Sequence, residues 1–270
     1  MPRGPAKRAR KTKRPQKAKH PSRKKHPSRK MALPPPAAPI HLTIQLFVEK
    51  VVAPPRATGQ GPTPPKLKVL FLSANPSGTA SLDLSEEARE IQEKISKSAH
   101  RDSIEFITAL AARPDDLLQA LNQHRPHVVH FSGHGNSTEE LKFLDKHGEP
   151  KLVSKRALVQ LFRTLKRNIR LVVLNACSTL GQAEAITGPG PIECAIGMTR
   201  DIGDHAAIVF ASSFYRAIGF GESIEQAYEQ GKAALLLEGI EEADTPVLLC
   251  KKGVTPAKIM LIDPEDRKLL

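Results

Sequence analysis

Two short apolar runs decide the fold of this chain. The first is Val128-Val129-His130-Phe131, which ends on Ser132-Gly133-His134-Gly135. The second is Leu171-Val172-Val173-Leu174, which ends on Asn175-Ala176-Cys177-Ser178. Continuous apolar runs of this length, bounded by turn residues, read as strands buried on both faces of a parallel sheet. Ligands and chemistry gather at the carboxyl ends of such strands. His134 and Cys177 are thus expected just past two strand ends, and on one rim if the strands are neighbours. A neutral imidazole there takes the thiol proton, and the imidazolium then stabilises the thiolate nucleophile.

Working outward, residues 67–72 read as a first buried strand that stops at Ser73-Ala74-Asn75-Pro76, and residues 104–107 as a second. Ser85 is expected to start a helix, with Glu86 and Glu87 in its first turn and Ala88, Ile91 and Ile95 on its buried stripe. Asp115 or Asp116 caps the next helix. Residues 141–152 read as a hairpin insertion around Asp145-Lys146-His147-Gly148-Glu149, and Ser154 caps the helix that follows. Residues 194–198 give a fifth strand, and Asp204 opens a helix that ends near Gly219 and Gly221. A further helix spans 223–237, and residues 247–250 give a sixth strand. Strand and helix alternate, so the class is α/β with a mainly parallel central sheet of about six strands.

The formal charge of +13 over 270 residues is unevenly spread. Residues 1–30 hold fourteen Lys or Arg and no acid; taking them from the total of 41 leaves 27 basic against 28 acidic residues, a net of −1. The basic fold of a dedicated nucleic-acid-binding domain is therefore absent. Residues 1–38 form a basic, then Pro-rich tail too poor in apolar surface to order itself. It reads either as a plain solvated tail or, through residues 1–30, as a weak contact for nucleic acid or an acidic surface. Residues 39–52 alternate apolar and polar like an amphipathic strand, 53–66 form a Pro/Gly linker, 67–262 the main domain, and 263–270 a C-terminal tail.

No run reaches the length of a membrane span, and no secretory leader is apparent. Three cysteines, an odd number, argue against a disulfide framework and for a reducing, cytoplasmic setting. Cys194 and Cys250 sit in apolar runs and read as packing residues. His130 lies inside its strand and reads as core, whereas His100, His124, His127 and His147 read as solvent histidines. No CxxC or HxxxH pair supports a metal site, and no phosphate-cradling glycine loop follows the first strand. No cofactor is implied.

The stretches VLFLSANP, VVHFSGHG, VVLNACSTLG and IGMTRDIGDHAAIVFASSFYRAIGFGESIEQAYEQGKAAL, spread over roughly residues 67–262, resemble the CHAT domain family, caspase-like cysteine peptidases. The resemblance implies a caspase-like three-layer sandwich. It implies that His134 is the general base, Cys177 the nucleophile, and the backbone N–H groups of Gly135 and Cys177 the oxyanion hole. Ser73, Asn75, Asn175 and Asp83 become candidates for the substrate pocket. The animal caspase signature of Gln-Ala-Cys is not met, since Asn175-Ala176-Cys177-Ser178 stands here with the histidine 43 residues upstream. Relatives that cleave after Lys or Arg often hold an acid where Asn175 stands; Asp83, Asp201 and Asp204 remain as acids from elsewhere, and the substrate side chain stays open. No third triad member is evident, and a backbone carbonyl can orient the imidazole. The expectation is a cysteine endopeptidase acting on protein or peptide substrates as a regulated effector with a separate activator or sensor. The competing expectation is a catalytically silent interaction module of the same fold.

Overall fold

A computed structural model describes residues 65–136 and 138–262. The basic tail, the 39–52 strand, nearly all of the 53–66 linker and the 263–270 tail lie outside the described residues. Eight strands are described: β1 (Leu67–Ala74), β2 (Ile104–Ala109), β3 (Val128–Gly135), β4 (Glu140–Leu144), β5 (Pro150–Ser154), β6 (Leu171–Asn175), β7 (Cys194–Met198) and β8 (Pro246–Cys250). They are interleaved with helices α1 (Leu84–Ser96), α2 (Pro114–His124), α3 (Lys155–Leu165), α4 (Leu180–Thr187), α5 (Asp204–Gly219) and α6 (Ile224–Leu237). The central sheet runs β2-β1-β3-β6-β7-β8, parallel except for β8, and the β4–β5 hairpin pairs onto the tip of β3. This is the mainly parallel six-stranded sheet that the apolar runs imply.

Side chains alternate between the two faces, so each strand feeds two cores. Val69, Phe71, Val128 and Val173 pack with α1, α5 and α6 on one face. Leu70, Leu72, Val129, Val172 and Leu174 pack with α2, α3 and α4 on the other. Both faces are dry: Val69, Leu70 and Phe71 are fully buried. Burial of each such side chain stabilises the fold by about 1.5–3 kcal/mol relative to exposure.

Helix starts differ from expectation in detail. The cap of α1 is Asp83, whose carboxylate accepts the Glu86 N–H at 3.1 Å, so the helix starts before Ser85. In α2 the acid acts from inside the first turn: Asp116 accepts the Arg113 N–H at 3.0 Å, behind Pro114 at the helix start. Ser154 caps α3 as expected, and Ser223 caps α6. Helix α4 was not expected, because its eight residues carry no cap signal. Thr179 sits at the cap position, but its hydroxyl donates back to the Leu174 and Ala176 carbonyls and accepts the Met198 N–H.

Readings of four single residues are corrected. Cys194 and Cys250 are opposite each other on β7 and β8 with Cα atoms 4.2 Å apart, and they form a disulfide rather than separate packing residues. An apolar run gives no sign of a sulfur facing another across a strand pair. One thiol remains, Cys177. A thiol titration of the unfolded, unreduced chain is expected to count one thiol, and none in Cys177→Ala; a count of three in the same titration would remove the bridge. His100 is buried, not solvated, and His127 is half-buried, with Nδ1 accepting the Lys68 N–H at 2.9 Å.

Candidate active site

Strand register carries the site. Ser132 of β3 stands opposite Asn175 of β6. Two residues further along each chain, His134 and Cys177 therefore leave neighbouring strands at the same level. β3 does not stop at Ser132 as expected. It leaves the parallel sheet and continues through His134 and Gly135, which pair antiparallel with Lys142 and Leu141 of the hairpin. The hairpin thus fixes the backbone on either side of the imidazole. His134 and Cys177 line one pocket, together with Asn175.

The glycines around His134 are required for close approach, not for a left-handed backbone. A Cβ at Gly133 would stand 2.6 Å from the Ala74 carbonyl oxygen. A Cβ at Gly135 would overlap the Cys177 carbonyl oxygen. Neither residue has a positive φ; that conformation falls to Ser178, at φ 54°. The main chains of Gly135 and Cys177, the two residues of the expected oxyanion hole, are thereby packed against each other.

Both side chains are shifted towards their neutral forms. Burial lowers the pKa of His134 below its ordinary value, and Lys142 adds to the effect. Burial raises the Cys177 thiol, and Asp201 nearby raises it further. The thiol donates to the Ile202 carbonyl at 4.0 Å rather than to the ring. On its other side the ring meets Asn75, whose amide lies 3.1 Å from Nε2. With its nitrogen turned that way, Asn75 also reaches the Ala80 carbonyl at 3.1 Å, and its oxygen accepts the Leu82 N–H at 3.3 Å. The Ala80 carbonyl also lies close enough to the imidazole to favour its charged form.

Below the rim lies a polar network that the sequence reading missed. Glu87, 1% exposed, reaches in from α1. Its carboxyl accepts from Ser132 Oγ and from Asn175 Nδ2, the latter at 2.6 Å, and lies 3.1 Å from His130 Nε2. His130 Nδ1 in turn lies 3.2 Å from the hydroxyl of buried Tyr215, whose pKa burial drives well up. A signal for this existed. His130, Ser132 and Asn175 are polar residues in strands buried on both faces, and such groups need a partner from the covering helix.

The other candidates are dispersed. Ser73 is buried and, with Asn75, lines an adjacent cavity. Asp83 is spent as the α1 cap, and its N–H donates to Asp204 Oδ2 at 2.9 Å. Asp201 accepts from Ser178 Oγ at 3.5 Å. The pocket at Cys177 has a free volume of only about 30 Å³, whereas a cavity of about 400 Å³ between α1, α5 and α6 touches neither reactive residue. Among the described residues no group of three or more His, Cys, Asp or Glu side chains is placed to hold a metal ion, and no helix is long and apolar enough to cross a membrane.

A parallel sheet between two helical layers, with a histidine and a cysteine on neighbouring strand ends, defines a caspase-like α/β protein. The crystal structure of the Arg specific cysteine proteinase gingipain R has the same fold, with a TM-score of 0.51 at 13% identity over 72% of this chain and 48% of that one. The CHAT domain family matches residues 38–246, and the chain belongs to that family. The match takes in residues 39–66, which the sequence reading set apart from the main domain. A Roc-COR-CHAT protease of an unknown prokaryotic organism is 28% identical over 176 residues, 62% of this chain and 16% of that protein. A Roc-COR-CHAT protease of Runella zeae is 30% identical over 161 residues, 58% of this chain and 17% of that protein. The chain thus spans less than a fifth of either relative.

Proposed function

We propose that the chain is a cysteine endopeptidase in which Cys177 attacks a peptide carbonyl and His134 moves the protons. The observation that carries this reading is the pairing of Ser132 with Asn175, which sends His134 and Cys177 to one pocket at one level. The neutral imidazole of His134 accepts the thiol proton. The sulfur then bonds to the scissile carbon, and the oxyanion receives the Gly135 and Cys177 N–H groups. The amine leaves with the proton held by His134. Water, deprotonated by the same ring, cleaves the thioester, and the thiol takes the proton back. No metal or organic group is needed to balance these steps.

The neutral pair and the narrow pocket support a regulated effector that reacts slowly alone and faster when a separate activator widens the site. An irreversible peptide ketone probe tests the core of the reading. The wild-type chain is expected to gain the mass of one peptidyl group on Cys177, and Cys177→Ala none. Equal labelling of both would end the assignment.

A further inference from the structure

A second cavity opens on the same rim, on the histidine side of the reactive pair. The sheet runs β2-β1-β3-β6, so the strand ends set out a row: Leu110 after β2, Asn75 after β1, His134 on β3 and Cys177 after β6. Register keeps the row level, since Ala109 stands opposite Leu72, Ser73 opposite Ser132, and Ser132 opposite Asn175. Asn75, whose amide lies 3.1 Å from His134 Nε2, lines the cavity. The cavity therefore borders the imidazole on the side away from Cys177. Its free volume is about 190 Å³, and Leu82, Leu84, Leu110 and Ala111 form its apolar wall. The other lining residues are Ser73, Asn75 and Ser85, so none of the described residues around it is charged. Leu110 is 56% exposed, a large apolar side chain left half in water beside this space.

The chemistry decides which part of a substrate comes here, and the inference rests on the peptidase reading. In acyl transfer the acyl part of the peptide stays on the sulfur, and the amine part leaves with the proton held by His134. The chain on the amine side thus passes over the ring, away from Cys177 and towards the ends of β1 and β2. We infer that the cavity receives the side chain of the first residue on the amine side of the scissile bond, and that this residue is large and aliphatic, such as Leu or Met. At about 30 Å³ per water the space holds about six waters, which is room for one such side chain. Filling it covers Leu110 and removes apolar surface of both partners from water. A charged side chain is disfavoured, because it would lose its hydration among residues that offer no opposite charge.

The test uses the full chain and a peptide library randomised on both sides of the cut, with cut sites read by mass spectrometry. Only cuts absent with Cys177→Ala are counted. Leu and Met are expected directly after the cut about tenfold more often than Ala, and Asp and Glu less often than Ala. Leu110→Lys places a cation beside the cavity at an exposed position, and its folding is checked by a thermal melt. This variant is expected to lower the ratio of Leu to Glu after the cut about tenfold, a gain for acids that loss of structure does not produce. Cys177-dependent cuts with no aliphatic preference after them overturn the inference and leave the peptidase intact. A Leu-to-Glu ratio unchanged in folded Leu110→Lys overturns the assignment of this cavity. No Cys177-dependent cut at all overturns both this inference and the peptidase reading.

Discussion

Replacing His134 with alanine is expected to lower kcat by about 10²–10⁴-fold, the usual loss when a positioned general base is removed. The shape of the pH profile carries more information than the size of the drop. In the wild-type chain burial and then Lys142 hold the ring neutral to a pH below its ordinary 6.5. As pH falls through that shifted value, the ring gains a proton and no longer accepts one from the thiol, so the acid limb of kcat/KM lies below 6.5. The thiol ionises above its ordinary 9.0, so a plateau separates the two events. Without the ring the only route to a thiolate is direct ionisation. The alanine variant is therefore expected to lose the acid limb and to gain activity steadily towards alkaline pH. An acid limb that persists unchanged in the variant belongs to some other group and removes His134 as the base. A preformed thiolate–imidazolium pair predicts the opposite profile for alkylation by a small electrophile, with fast reaction already well below neutral pH.

The features that proved legible are those that repeat along the strand. Val128 to Phe131 and Leu171 to Leu174 are apolar without interruption, and burial on both faces demands that. The rim position of His134 and Cys177 follows from where those runs stop. What was hidden depends on which side chain meets which across the fold. Glu87 looks like a first-turn acid that favours the helix dipole, and nothing in α1 alone says that it points inward. The polar residues it satisfies lie 43, 45 and 88 positions away. Asp83 reads as a pocket acid until the start of α1 is fixed, whereupon it is the cap. Cys194 and Cys250 are 56 residues apart, and only the antiparallel turn of β8 against β7 makes them partners.

Substituting Glu87 with alanine is expected to be the most destabilising polar change in the molecule. The carboxyl is 1% exposed and faces Ser132 Oγ, Asn175 Nδ2 and His130 Nε2, all buried. Its loss orphans these groups at once, and breaking a buried polar cluster at one member costs about 3–5 kcal/mol. For a domain of this size each kcal/mol moves Tm by about 2–4 °C, so a fall of about 6–20 °C is expected. Glu86, one residue earlier, is the control. It makes a surface pair with Arg89 at 3.4 Å, and Glu86→Ala is expected to cost about 0.5 kcal/mol or less. Glu87→Gln keeps one acceptor but presents an N–H to neighbours that are themselves donors, so it falls between the two. The ordering bears on function as well as stability. If Glu87 holds Asn175 in its orientation, the glutamine variant, assayed well below its own Tm, is expected to label more slowly at Cys177, because Asn175 lines the same pocket. A Glu87→Ala variant as stable as Glu86→Ala would mean that the three buried groups find other partners, and the link from α1 to the pocket floor would be gone.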